Sequence, residues 1–146
     1  MLLVGQYSSK ISAKRRVAVP SKFKRVLGET FILTRWYEGC LVLVGKNEWK
    51  KLINILTGRT KGLTEPFRDT DRFLFGMAFE VIPDNQGRII IPEKLSSYAG
   101  IDKSVIFIGL GNRVEVWNER TWLEREKYVT SKAGAFIERL VKEDGA

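Results

Sequence analysis

The sequence predicts an α+β fold, mainly β, in which two copies of one strand-rich unit complete a single barrel with helices packed around it. Three observations carry this. Two segments align at a fixed offset of 72 residues. Each is built of short β-branched or apolar runs punctuated by proline and glycine. The chain of 146 residues is 44% hydrophobic, enough for one core without a disulfide or metal staple.

Taken in order, Leu2–Tyr7 reads as a first strand. The segment Lys14-Arg15-Arg16-Val17-Ala18-Val19-Pro20 then opens on basic residues, continues as a second strand and is stopped by proline. Pro20 stands where a helix begins, a position at which its missing N–H costs nothing. Phe23, Val26 and Leu27 follow at helical spacing before Gly28, a glycine C-cap. Phe31-Ile32-Leu33 and Leu41-Val42-Leu43-Val44 form a strand pair around a turn at Glu38-Gly39, and a helix containing Trp49 closes the unit.

The second copy starts with a strand over Met77–Ile82. Its motif Gln86-Gly87-Arg88-Ile89-Ile90-Ile91-Pro92 matches the first residue by residue, with Leu95, Tyr98, Ala99 and Gly100 answering to the first short helix. Val105–Ile108 and Val114–Trp117 make the second strand pair around Gly111-Asn112. Between the copies, 57–65 reads as a connector rich in Gly, Thr and charge, and Arg68–Phe75 as a helix ended by Gly76. The last segment, Thr121–Val141, places Trp122, Val129, Ala133, Phe136, Ile137 and Leu140 at helical spacing, with Gly134 a point of break or kink. The chain thus divides into a first repeat, 1–56, a linker and helix, 57–76, a second repeat, 77–120, and a C-terminal helical segment, 121–146. Each half alone would leave strand edges open, so the two are expected to pair.

Charge is unevenly spread. Lys and Arg number 25 against 17 Asp and Glu, a net charge of +8. Residues 1–72 hold 15 basic and 6 acidic side chains, a balance of +9, and residues 73–146 hold 10 and 11, a balance of −1. Lys10, Lys14, Arg15, Arg16, Lys22, Lys24 and Arg25 all precede the first acid, Glu29. A cluster of one sign beside a near-neutral half favours a surface for a polyanion.

Other classes are poorly served. One cysteine and no histidine exclude an intrachain disulfide, Cys/His zinc sites within one chain and imidazole base catalysis. Gly109-Leu110-Gly111 lacks the third glycine of a dinucleotide fingerprint and no Walker-type lysine follows a glycine loop, so no cofactor is expected. The absence of a signal-like N-terminus or a long apolar run leads to the expectation of a soluble, cytoplasmic protein without a membrane partner.

The paired motifs carry a family resemblance. Asp84-Asn85-Gln86-Gly87-Arg88 followed by Pro92 is a full D-x-x-G-R-x-x-x-P signature. With Arg72-Phe73-Leu74-Phe75-Gly76, Asn47-Glu48-Trp49 and Val116-Trp117-Asn118-Glu119-Arg120-Thr121-Trp122, the chain resembles the MraZ family, tandem SpoVT-AbrB half-domains. The resemblance implies a swapped-hairpin barrel of the AbrB/MazE type and a ring-shaped homo-oligomer. It further implies a nucleoid-associated repressor of the division and cell-wall gene cluster that binds direct repeats in double-stranded DNA upstream of its operon. The first copy departs from the signature, with Ser12 for the aspartate and Arg15 for the glycine.

Within that frame Arg16 is the candidate for base reading, and Lys10, Lys14, Arg15 and Lys22 for phosphate contact. Lys14 and Arg16, two apart, would share a face of an extended segment, with Arg15 opposite. Asp84, Gly87, Arg88, Pro20 and Pro92 are assigned structural roles, Arg88 pairing with Asp84 across its turn. Trp36, Trp49, Trp117 and Trp122 are read as packing residues rather than base-stacking platforms. An antitoxin-type protein-interaction module and an RNA-binding protein remain as alternatives.

Overall fold

The computed structural model describes residues 2–57 and 64–145. The elements run β1 (Leu3–Lys10), a 3₁₀ turn (Ala13–Arg15), β2 (Arg16–Ala18), α1 (Ser21–Leu27), β3 (Phe31–Arg35), β4 (Leu41–Gly45) and α2 (Lys46–Thr57). They continue as α3 (Glu65–Leu74), β5 (Phe79–Val81), β6 (Arg88–Ile90), α4 (Glu93–Tyr98), β7 (Ser104–Gly111), β8 (Val114–Asn118) and α5 (Glu119–Gly145). The expected connector at 57–65 falls largely outside the described residues.

Six strands form one antiparallel sheet in the order β1-β7-β8-β4-β3-β5, and among the described residues β2 pairs only with β6. The first strand of each copy pairs with the third strand of the other: Leu3–Lys10 lie against Gly111–Ser104, and Val81 and Phe79 against Phe31 and Leu33. The expected closed barrel is not formed. The sheet ends at β1 and β5, which do not pair with each other. The three-residue β2–β6 ribbon is too short to bridge them. It lies over one face and closes the core with the side chains of Val17 and Ile89 rather than with ladder hydrogen bonds.

Both faces of the sheet are buried at its central strands, which explains why β4 reads as an unbroken apolar run rather than an alternation. On one face Phe23, Leu27, Phe31, Leu33, Leu41, Leu43, Leu95 and Phe107 pack beneath the ribbon, α1 and α4. On the other, Val42, Val44, Ile106, Ile108 and Trp117 meet Leu52 and Ile53 of α2, Leu74 of α3 and Trp122 of α5. Trp36, Trp117 and Trp122 are buried and Trp49 is partly so, in keeping with packing roles. Cys40 is buried and free; desolvation, reinforced by the Glu115 and Glu38 carboxylates, pushes its thiol pKa up.

Helix ends follow local chemistry. Pro20 and Pro92 occupy the N-caps of α1 and α4, and Gly28 ends α1 at φ 95°. Helix α3 starts earlier than its apolar residues indicate, because Thr64 caps it by accepting from Phe67 N and Pro66 sits in its first turn. Its C-terminal carbonyls are held by β3: Thr34 Oγ1 donates to Leu74 O (2.6 Å) and Arg35 Nε to Phe73 O (3.0 Å). Gly134 neither breaks nor ends α5, which is one helix of 27 residues. Beyond Trp122 that helix leaves the core: Leu123, Ile137, Leu140 and Val141 are 50–66% exposed.

Candidate nucleic-acid interface

Arg16 of the first copy and Arg88 of the second lie on the β2–β6 ribbon. In β2 and β6 only the central residues, Val17 and Ile89, point into the core, so Arg16, Ala18, Arg88 and Ile90 form the outward face. Arg16 stands opposite Ile90 and Arg88 opposite Ala18. Arg16 and Arg88 thereby line one groove of about 260 Å³ with Val81, Ile82, Asp84 and Ile90. Lys24 and Arg25 of α1 line a neighbouring cavity that shares Ile82 and Asp84.

The two loops entering the ribbon are copies with different chemistry. In the second, Asp84 Oδ1 accepts from Gln86 N and Arg88 N at 2.9 Å each, and Arg88 Nε donates to Asp84 Oδ2 at 3.0 Å. Backbone bonds from Asp84 N to Arg88 O and from Gly87 N to Asp84 O close the turn, with Gly87 at φ 76°. The N–H of Arg88, with those of Gln86 and the Arg88 side chain, holds the Asp84 carboxyl below its ordinary pKa. The expected Arg88–Asp84 pair is therefore present.

In the first loop the backbone closure persists, Ser12 N donating to Arg16 O at 2.9 Å, but the carboxylate is gone. The Ser12 hydroxyl reaches only Ala13 O (3.1 Å) and Arg16 O (3.3 Å). The Arg16 guanidinium has no ion pair or hydrogen bond among the described residues, and neither do the ammonium groups of Lys10, Lys14 and Lys22. Lys10, Lys14 and Lys22 are exposed and Arg16 is half-buried.

Arg15 stands where the second copy has Gly87 and adopts the glycine's conformation, φ 59°, with Lys14 also left-handed at φ 69°. This corrects the expectation of a shared face for Lys14 and Arg16: the alternation rule needs extended backbone, and here it begins only at Arg16. Arg15 is also fastened to the opposite strand. Its carbonyl accepts from Ile91 N and its Nε donates to Ile91 O, both at 3.0 Å, and Val19 N with Gly87 O repeats the backbone bond in the other copy at 3.0 Å.

A family model described as "MraZ protein, putative antitoxin-like" matches residues 74–139. The transcriptional regulator MraZ of Acetivibrio thermocellus is 43% identical over 126 residues, covering 83% of this chain and 84% of that protein. The chain belongs to the MraZ family. Similar relatives of the same name are those of Caldanaerobacter subterraneus, 42% identical over 127 residues with 86% and 87% covered, and of Clostridium acetobutylicum, 38% over 126 residues with 84% and 86% covered.

For this MraZ chain the ribbon pairing explains what local sequence could not provide. The convergence of Arg16 and Arg88 on one groove arises from pairing between residues 70 to 74 apart, and the outward Ile82 and Ile90, 72% and 49% exposed, carry no local sign of being surface residues. No helix among the described residues is long and apolar enough to cross a membrane.

Proposed function

We propose that this chain is a sequence-specific, double-stranded DNA-binding transcriptional regulator that reads base edges with Arg16. The observation that carries the reading is an arginine on the outer face of a two-stranded ribbon whose guanidinium, like the ammonium groups of Lys10, Lys14 and Lys22, has no hydrogen bond or ion pair among the described residues. A ribbon of two strands about 5 Å apart fits a major groove about 12 Å wide. Arginine can donate two hydrogen bonds to guanine O6 and N7, worth about 1–3 kcal/mol of discrimination. Lys10, Lys14 and Lys22 then serve as phosphate contacts, joined by the free guanidinium nitrogens of Arg15. The name transcriptional regulator carried by the relatives supports the same conclusion.

The finer reading is a repressor of the division and cell-wall gene cluster acting at direct repeats upstream of its own operon. In it, 1–56 is the DNA-contacting repeat, 77–120 the repeat kept for folding, and the two half-domains are a swapped-hairpin pair, a reading the exchanged first strands support. A ring of subunits turns later contacts into intramolecular ones and multiplies a weak half-site affinity. The apolar residues left open along α5 support such assembly.

Arg16→Ala tests the reading in a mobility-shift or anisotropy titration against the duplex upstream of the gene. The variant keeps wild-type oligomeric mass and loses operator binding; full affinity refutes the assignment. Four phosphate contacts per subunit predict that log K falls against log salt with a slope of about −3.6 per subunit. Salt-insensitive binding, or stronger binding to structured RNA than to duplex, would favour the alternatives.

A further inference from the structure

The outward face of the β2–β6 ribbon differs from end to end. At the repeat offset of 72, Arg16 answers to Arg88 and Ala18 to Ile90. Because the strands run antiparallel, each arginine stands opposite the other copy's apolar residue, Arg16 opposite Ile90 and Arg88 opposite Ala18. Backbone bonds from Ile91 N to Arg15 O and from Val19 N to Gly87 O, both at 3.0 Å, flank these pairs. They make both pairs the non-hydrogen-bonded kind, in which facing Cα atoms approach to about 4.5 Å and the side chains lie closest. One end of the face thus presents a guanidinium beside a sec-butyl group, the other a guanidinium beside a methyl.

Ile90 is 49% exposed and lies outside both clusters of the core, which the ribbon closes with Val17 and Ile89. Ile82, 72% exposed, lines the same groove, so the apolar surface near Arg16 is more than a lone residue. The chain leading into Arg16 carries Lys10, Lys14 and Arg15, with no acid before Glu29, which favours a polyanion over the apolar face of a second copy. On the base edges of a duplex major groove, the apolar group that such a residue can meet is the C5-methyl of thymine. We propose, resting on the DNA-reading role proposed for Arg16, that Ile90 is a specificity-determining residue that packs on a thymine methyl next to the guanine read by Arg16. The spacing suits this: about 4.5 Å between facing Cα atoms against about 3.4 Å between successive bases. The second repeat then supplies half of a two-base contact, and Ala18 is too short to do the same beside Arg88.

The test is a binding titration of the full-length protein at fixed salt on the duplex upstream of its gene, made once with thymidine and once with deoxyuridine throughout. The exchange keeps base pairing and removes only the C5-methyl groups. Wild type is expected to bind the uracil duplex about fourfold more weakly for each methyl that Ile90 covers, the worth of one buried methyl group. Ile90→Ala loses a similar factor on the thymine duplex, and the exchange then costs it about fourfold less than it costs wild type. Its salt slope and its affinity for an unrelated duplex of equal length stay at wild-type values, because no charge has changed.

Equal binding of the two duplexes by wild type overturns the proposal. So does an Ile90→Ala protein as sensitive to the exchange as wild type, since the methyl is then met elsewhere. Loss of oligomeric mass together with binding in Ile90→Ala also overturns it, by making Ile90 a contact between copies. Failure of the underlying reading looks different: there Arg16→Ala itself retains operator affinity.

Discussion

Replacing Arg15 tests whether the first-copy loop stores backbone strain. A non-glycine residue held at φ 59° carries a steric penalty of about 1–2 kcal/mol. The Nε bond to Ile91 O at 3.0 Å offsets about 1 kcal/mol of it. Arg15→Ala keeps the strain and removes the bond, for a net loss of about 1 kcal/mol. Arg15→Gly removes the same bond but also the strain, at a cost of about 0.5–1 kcal/mol in extra unfolded-state freedom. Glycine should therefore leave the protein more stable than alanine by roughly 0.5–1 kcal/mol, and close to wild type.

The comparison is clean because both variants lose the same side-chain bond and keep the carbonyl of residue 15 accepting from Ile91 N. Urea unfolding at fixed protein concentration would read the difference as a shift in midpoint at constant m-value. Thermal unfolding would show it as about 2–3 °C for a chain this long. Lys14→Gly supplies a second reading, since Lys14 at φ 69° has no side-chain bond to lose and should rise above wild type. An alanine variant at 15 at least as stable as the glycine variant refutes the account, and with it the claim that Arg15 fills a glycine's place under strain.

Gly109→Ala should destabilise by about 2 kcal/mol in the same assay, because its Cβ would lie 2.5 Å from backbone atoms of Leu3 and Val4 where β1 crosses β7; wild-type stability would show that the two strands can part freely. Ile137→Glu with Leu140→Glu should reduce oligomeric mass by light scattering without lowering helicity, since both side chains are about 60% exposed on one face of α5; unchanged mass would remove that face from the assembly. The Asp84 carboxyl has a depressed folded pKa, so its contribution is present above the unfolded carboxylate range and disappears as pH falls through the folded value. Below about pH 4 the stability of Asp84→Asn should accordingly depend less on pH than that of wild type; parallel profiles would contradict the depressed value.

What could be read from residues alone was whatever local chemistry dictates. The run Val17-Ala18-Val19 before Pro20, matched by Ile89-Ile90-Ile91 before Pro92, places a strand and a helix start in each copy because proline can neither continue the strand nor lose a needed N–H. The Asp84–Arg88 pair was legible for the same reason, four residues spanning one turn. Closure of the sheet was not: it depends on whether β1 and β5 meet, and neither strand's sequence records the distance between them. Gly134 misled because its cost in an exposed helix, about 1 kcal/mol, is small against the rest of a 27-residue element.

The candidate site divides along the same line. Its charge was visible in the seven cations that precede Glu29, but charge fixes only where a polyanion settles. Reading requires one donor in a defined place, and that place is made by pairing between copies: Ile91 grips Arg15, Ile90 stands opposite Arg16, and Arg88 lies on the same face. The turn that delivers Arg16 has lost both the aspartate and the glycine of its counterpart. The lost aspartate leaves the guanidinium without a partner, and the lost glycine is made good by an arginine that strains the backbone and bonds across the ribbon. A loop whose local choices run against its own fold, and whose twin in the same chain does not, is where we infer that folding and binding place different demands on one motif.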